Sequence, residues 1–382
     1  MSDHAAVYLD HNATTPIAIA REVADAMWPY LTQHFGNPSS ASPQGRTARA
    51  AVDQAREQVA AVIGAHPDEV VFTSGGTESN NLAIRGSAAV AATHVAVTSA
   101  IEHPATAEPL AHLAAQHGWA VQELPVDVEC RVRSDEIPSG PVGLGTLILA
   151  HNETGALQPM AEFAERIHAA GGVVHADAAQ SIGKVPVAVD DLDVDLLSIA
   201  GHKLYGPKGV GALYVRRGTP LAPVIRGGGQ EGGIRPGTED VASIVGLGTA
   251  ADLAAQLLPT EAVRQSALRD LLWDRLVAAV PGLVRVSPVE RCLPNTLMVA
   301  VPGQVGAQLL ESMSGLSAST GSACHAGTHT PSAALLAMGI DHDVALGALR
   351  LSLGRSTTRD EIEHAASRIV EAIRGDGDAL TG

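Results

Sequence analysis

With 382 residues, 41 acidic against 25 basic side chains and a formal net charge of −16, the chain can bury a large core but carries no broad cationic surface. It has no Lys/Arg-rich run and only 3% aromatic residues, which argues against direct nucleic-acid binding by charge or by base stacking. The start, MSDHAAVYLD, lacks a basic segment followed by an apolar one, and no apolar run is read as bilayer-spanning, so a cytoplasmic protein with no membrane partner is expected.

In chain order, residues 7–10 read as a short strand leading into the polar turn His11 to Pro16. Helices are predicted at about 19–30 and 47–63, the second fitting Ala48, Val52, Ala55, Val59 and Val62 on one face. Strands then alternate with helices: 70–73, 95–99, 121–125, 146–150, 173–176, 196–200 and 211–215. Such alternation predicts an α/β fold with a mainly parallel sheet covered on both faces. Residues 129–145, with two prolines and three glycines, read as a loop or reduced helix. A helical connector at 244–279 leads to a strand at 295–299, a helix at 303–314, a loop around Cys324, a strand at 349–352 and a terminal helix from Arg359. Thr358 and Glu361 fit a capping box for that helix, and Ile362, Ala366, Ile369 and Ala372 supply its buried stripe.

The polar residues just past two of these strands are the most informative. Val173-Val174 changes to His175, Asp177 and Gln180, and the run ending at Ile199 changes to His202 and Lys203. In an open parallel sheet such positions face the ligand crevice. A carboxylate at Asp177 suits a pyridine nitrogen, and an amine at Lys203 suits an aldehyde, with Gly206, Gly209 and Gly211 leaving backbone space beside it. By spacing alone, ordinary loop solvation explains the same residues. Upstream, Ser74-Gly75-Gly76 turns a strand into a helix beginning at Thr77, where free N–H groups can receive a phosphate. A capped helix with no ligand fits equally well. No Gly-Lys-Ser or Gly-Lys-Thr follows, which disfavours a nucleotide-hydrolysing engine.

Cys130, Cys292 and Cys324 are too few and too scattered for a disulfide framework or a paired zinc site, and no metal is expected. Cys130 and Cys292 read as inert thiols. Cys324 lies among small residues, SASTGSACHAG, that can leave a thiol accessible, although a buried cysteine at a tight turn fits the same run. His103 follows the 95–99 strand closely enough to reach the crevice, or else sits in solvent paired with Glu102.

The segments YLDHNATTP, FGNPSS, FTSGGTESNNLAIRG, EH, HNETG, HADAAQSIGK, GHKLYGPKGVGALYVRRG, GGGQEGGIRPGTED, STGSACHAG and LRLSLGRSTT follow one another in family order over nearly the whole chain. In them the sequence resembles the NifS/IscS-like cysteine desulfurases, with selenocysteine lyases as near relatives, in the class V aminotransferase family of fold type I. The resemblance implies a large domain at 16–255 with a mostly parallel seven-stranded sheet, and a smaller α/β domain built from 1–15 and 256–382. It implies pyridoxal 5'-phosphate on Lys203, with Asp177 at the ring nitrogen, Gln180 at the phenolic oxygen, His103 over the ring, and Gly76, Thr77 and His202 at the phosphate. Asn12, Asn152 and Arg355 fall to the substrate side. Cys324 would attack the sulfur of L-cysteine, or the selenium of L-selenocysteine, and pass it to an acceptor such as an iron-sulfur scaffold protein. A homodimer is implied, in which Thr238 reaches the other subunit's phosphate. The sequence departs from many bacterial desulfurases at Ala200, where they have a serine three residues before the lysine.

Overall fold

A computed structural model describes residues 6–320, 323–325 and 328–375, with residues 19, 323–325 and 328–329 described by backbone alone. The first half begins with β1 (Val7–Tyr8), α1 (Arg21–Thr32), α2 (Pro43–Val62), β2 (Val70–Thr73), α3 (Gly76–Ala88), β3 (Val95–Ser99), α4 (Pro104–His117) and β4 (Ala120–Leu124). It continues through β5 (Leu144–Ile148), α5 (Met160–Ala169), β6 (Val173–Asp177), α6 (Val189–Leu192), β7 (Leu196–Ala200) and β8 (Gly211–Val215). Seven of these strands form one sheet in the order β2-β8-β7-β6-β5-β3-β4, with β8 antiparallel to both neighbours and the remaining pairs parallel. Every residue of β2, β5 and β7 is buried, and because successive side chains point to opposite faces, both faces of the sheet are covered. This is the α/β sheet expected from the alternating pattern.

Two starts came earlier or later than predicted for identifiable reasons. The second helix begins at Pro43, not 47, because Ser42 accepts a hydrogen bond from the Gly45 N–H at 3.1 Å and proline at the first turn forgoes no helical bond. The first begins at Arg21, after a 3-10 turn at Ile17–Ile19. Between β4 and β5 the described helical structure is one 3-10 turn, Ser134–Glu136, in keeping with a reduced connection.

The long helix α7 (Val241–Ala279) joins the two halves. Contrary to the sequence reading, it contains an 18-residue window with a mean hydropathy of 1.5, long and apolar enough by composition to cross a membrane. Here its glycines seat it on neighbouring helices: a Cβ on Gly248 would lie 2.6 Å from Ala55 Cα, and one on Gly246 2.7 Å from Met27 Sδ.

Beyond α7 lie β9 (Val284–Arg285), β10 (Thr296–Ala300), α8 (Gly306–Ser312), β11 (Leu316–Ser317), β12 (Ala323–His325), β13 (Thr328–Thr330), α9 (Ala333–Ala337), α10 (His342–Leu346), β14 (Ala348–Ser352) and α11 (Arg359–Arg374). β14, β10 and β9 form an antiparallel sheet, and the predicted capping box of α11 is present at Thr358 and Glu361. The chain's start belongs to this layer: β1 pairs with β11, and Val7 and Leu9 are buried with Leu272, Leu297, Leu351 and Ile362. Where a loop was expected around Cys324, the backbone forms a hairpin, with Cys324 opposite His329.

Candidate active site

The C-terminal ends of the parallel strands open onto a cavity of about 400 Å³ where the two layers meet. Asn12, Gly76, Thr77, His103, Asn152, Asp177, Gln180, His202 and Lys203 all line it, so nine of the residues singled out in sequence converge. Asp177 closes β6 and is buried; its Oδ2 accepts from Asn80 Nδ2 at 2.7 Å and its Oδ1 from the Ala179 N–H at 3.0 Å. Those two donors fix the plane of the carboxylate.

Lys203 ends the 3-10 turn that follows β7, and its Nζ donates to the Asn12 carbonyl and, at 2.8 Å, to that of Ala13. Burial lowers the Lys203 pKa to about 8; Arg350 pushes in the same direction, against Asp10 and Asp177. His202 Nδ1 lies 3.1 Å from Thr14 Oγ1, and burial, with Lys203, Lys208 and Lys184, takes its pKa down to about 4. His103 caps α4 by accepting the Ala105 N–H at 3.1 Å. Burial also lowers its pKa, opposed by Asp177 and aided by Lys203. Glu102 does not pair with it: that carboxyl is turned inward to Ser99 Oγ at 2.5 Å and the Ile148 N–H at 3.0 Å.

The N-terminus of α3 forms one wall. No side chain caps it, so the amides of Gly76 and Thr77 have no intrahelical acceptor. Gly75 has φ +142°, and β8 approaches so closely that a Cβ on Gly211 would lie 2.7 Å from Gly75 Cα. A Cβ on Gly76 would come within 3.3 Å of the Ala200 methyl and fill the space between them. The result is an open nest of donors beside a cationic turn, suited to an anion.

Among the described residues, two expected site residues, Arg355 and Thr238, are not in the cavity lining. Arg355 stacks its guanidinium 4.3 Å from the Tyr205 ring centre, while its N–H donates to the Tyr205 hydroxyl at 2.7 Å. Thr238 is exposed on the glycine-rich loop, outside its own chain's cavity. The Cys324 side chain lies outside the described residues, and only its place in β12 is fixed. Of the other cysteines, burial pushes the Cys130 thiol up to about 12 and the Cys292 thiol up to about 11.

Sequence reasoning passed over Arg350 and Asn80. Arg350 lines the cavity from β14, its Nη2 pairing with Asp10 at 2.8 Å and its Nη1 donating to the Asn152 carbonyl at 3.2 Å. Its signal was a lone cation alternating with Leu349 and Leu351 in a strand. Asn80 falls one helical turn beyond Gly76 and Thr77, on the same face.

Residues 7–364 match the family model described as "Aminotransferase class-V". The chain belongs to the class V aminotransferase family. It is 41% identical over 379 residues to the cysteine desulfurase IscS of Dictyoglomus turgidum, covering 96% of this chain and 95% of that one. Its structure is similar to that of a NifS-like protein, with a TM-score of 0.90, 35% identity and coverage of 97% of this chain and 100% of that chain. A structure described as SspA in complex with cysteine matches with a TM-score of 0.79 at 35% identity over 91% of this chain and 98% of that chain. These likenesses make it a NifS/IscS-like member with the fold type I architecture. Pyridoxal 5'-phosphate is the cofactor of this family, and the cavity fits it: an uncapped helix terminus for the phosphate, a buried, oriented carboxylate and a lysine amine share one space.

Proposed function

We propose that the protein is a pyridoxal phosphate-dependent cysteine desulfurase, converting L-cysteine to L-alanine while the sulfur passes to Cys324 as a persulfide. The observation that carries this reading is the convergence of Lys203, Asp177 and the open N-terminus of α3 in one cavity. When bound, the cofactor supplies an electron sink for the charge left on the substrate's α-carbon. The chain's residues do the rest by holding, orienting and moving protons. Gly76, Thr77 and His202 would hold the phosphate, Asp177, oriented by Asn80, would serve the ring nitrogen, and Gln180 would donate to the phenolic oxygen.

Lys203 would hold the cofactor through its aldehyde and, once released, would transfer the α-proton. An amine held at about 8 is partly free near neutral pH and therefore nucleophilic. His103, kept neutral at neutral pH, manages the proton at the substrate sulfur. Arg350 and Asn152 take the substrate carboxylate, the geometry favouring Arg350 over Arg355 for this role. Asn12 holds the N-terminal arm against the same space.

Ser319, five residues before Cys324, exchanges backbone hydrogen bonds with the cavity-lining Arg350 at 3.2 and 2.8 Å. The Cys324 thiolate bonds to the substrate sulfur, the carbon–sulfur bond breaks, and its electron pair stays with the three-carbon skeleton that leaves as alanine. The persulfide then supplies an acceptor protein, such as an iron-sulfur scaffold, in the cytoplasm. The working unit is a homodimer in which each Thr238 adds a hydroxyl to its partner's phosphate site.

Alanine and sulfide release from L-cysteine under reducing conditions, with L-selenocysteine assayed in parallel, tests the reading. Equal molar alanine and sulfide support it; a keto acid without sulfide points to an aminotransferase instead.

A further inference from the structure

Lys184 is a buried amine with no carboxylate partner among the described residues. It follows Gln180 by four residues, and its Nζ donates to Gln180 Oε1 at 2.6 Å and to Asn12 Oδ1 at 3.0 Å. An ammonium placed between two amide side chains dictates which end of each amide it meets, because it offers them only hydrogens. Gln180 in turn donates from Nε2 to the Asn12 carbonyl at 2.9 Å. Flipping the Gln180 amide would set NH2 against the lysine donor and oxygen against the Asn12 carbonyl, losing both contacts and creating two repulsions. Only one orientation survives, and in it the remaining Nε2 hydrogen is the group Gln180 can offer to the cavity it lines.

Asn12 is oriented independently. Its Oδ1 also accepts from Asn295 Nδ2 at 3.0 Å, and its Nδ2 donates to Thr296 Oγ1 at 2.9 Å and to the Asn152 carbonyl at 3.2 Å. The same residue's main-chain oxygen accepts from Lys203. Lys184 thus joins the N-terminal arm, the start of β10 and the lining of the cavity through one hydrogen-bonded hub.

We propose that Lys184 is a positioning residue that locks the Gln180 amide with its N–H toward the cofactor, so that this position acts only as a hydrogen-bond donor to the cofactor's phenolic oxygen. The inference rests on the reading that the cavity holds pyridoxal phosphate. A donor fixed there stabilises the deprotonated oxygen and lowers the pH at which the bound cofactor's visible absorbance band changes.

The experiment titrates that band in purified holoenzyme. Lys184→Met leaves the Gln180 amide held by the Asn12 carbonyl alone, and the band's midpoint is expected to rise by about half to one pH unit. Loss of a nearby positive charge would also raise it, so the same substitution is made in Gln180→Ala. There the shift should shrink to the part that charge alone supplies, because no amide remains to orient. Thermal denaturation and cofactor content confirm that each variant is folded and loaded; if the methionine destabilises the hub, Lys184→Gln keeps the site polar while its shorter side chain withdraws the donors. An unchanged midpoint in a folded, loaded variant overturns the proposal, as does an equal shift with and without Gln180. Wild-type protein that shows no lysine-linked cofactor band would instead overturn the cofactor reading itself.

Discussion

Ala200 offers a gain-of-binding test of the phosphate site. It ends β7, is buried, and faces the position where a Cβ on Gly76 would lie 3.3 Å away, at the mouth of the uncapped α3 terminus. Ala200→Ser adds one hydroxyl at that wall, with little new volume and no change to Lys203. A hydrogen bond to a charged group contributes about 1.5–3 kcal/mol, which corresponds to a roughly 10- to 150-fold lower dissociation constant for pyridoxal phosphate. Without cofactor the hydroxyl can satisfy itself on the free Gly76 and Thr77 amides, so the cofactor-free protein should unfold at about the wild-type temperature. Equilibrium binding of pyridoxal phosphate to the cofactor-free protein, quenching intrinsic fluorescence, gives the constant directly. An unchanged or weakened affinity in a folded variant would refute the placement of the phosphate between α3 and the turn after β7.

Three further outcomes follow from the geometry. The Lys203 amine is held at about 8 against an ordinary 10.5, chiefly by burial, so between those values the unfolded chain keeps a proton the folded chain has lost. Stability of the cofactor-free protein should therefore rise with pH across that window, and Lys203→Met should flatten the rise in chemical denaturation. Arg350→Ala should raise KM for L-cysteine by about 10- to 100-fold, whereas Arg355→Ala should change it by less than about threefold and cost about 1 kcal/mol of stability through its lost contact with Tyr205; the reverse ranking would return the substrate carboxylate to Arg355. Thr238→Ala should sediment as a dimer yet bind pyridoxal phosphate about tenfold more weakly, and an unaltered affinity would remove it from the shared site.

The sheet was legible because its strands are short apolar runs ending in abrupt polar changes, and those changes are also the site. Asp177, His202 and Lys203 were placed by the rule that strand ends face the crevice, and the structure puts them there. What was illegible depends on contacts across long stretches of chain. Nothing local to Asn12 reveals that it meets Lys184, Asn295 and Thr296, which are distant in sequence and come from both layers. Nor does the motif around Arg350 and Arg355 say which guanidinium enters the cavity. That is settled by the pleat of β14 and by the ring of Tyr205, which holds Arg355 aside. Helix α7 was legible as a helix, but the destination of its apolar surface, α1 and α2, was not, because composition does not display packing partners.

The central claim is sulfur transfer to Cys324, and peptide mass spectrometry after brief exposure of the holoenzyme to L-cysteine without reductant tests it most directly. The account predicts one added sulfur on the Cys324 peptide, with alanine released in equal amount. In Cys324→Ser the cofactor should remain bound through Lys203 while that sulfur is absent. Added sulfur confined to Cys130 or Cys292, whose thiols burial holds protonated, would contradict the account.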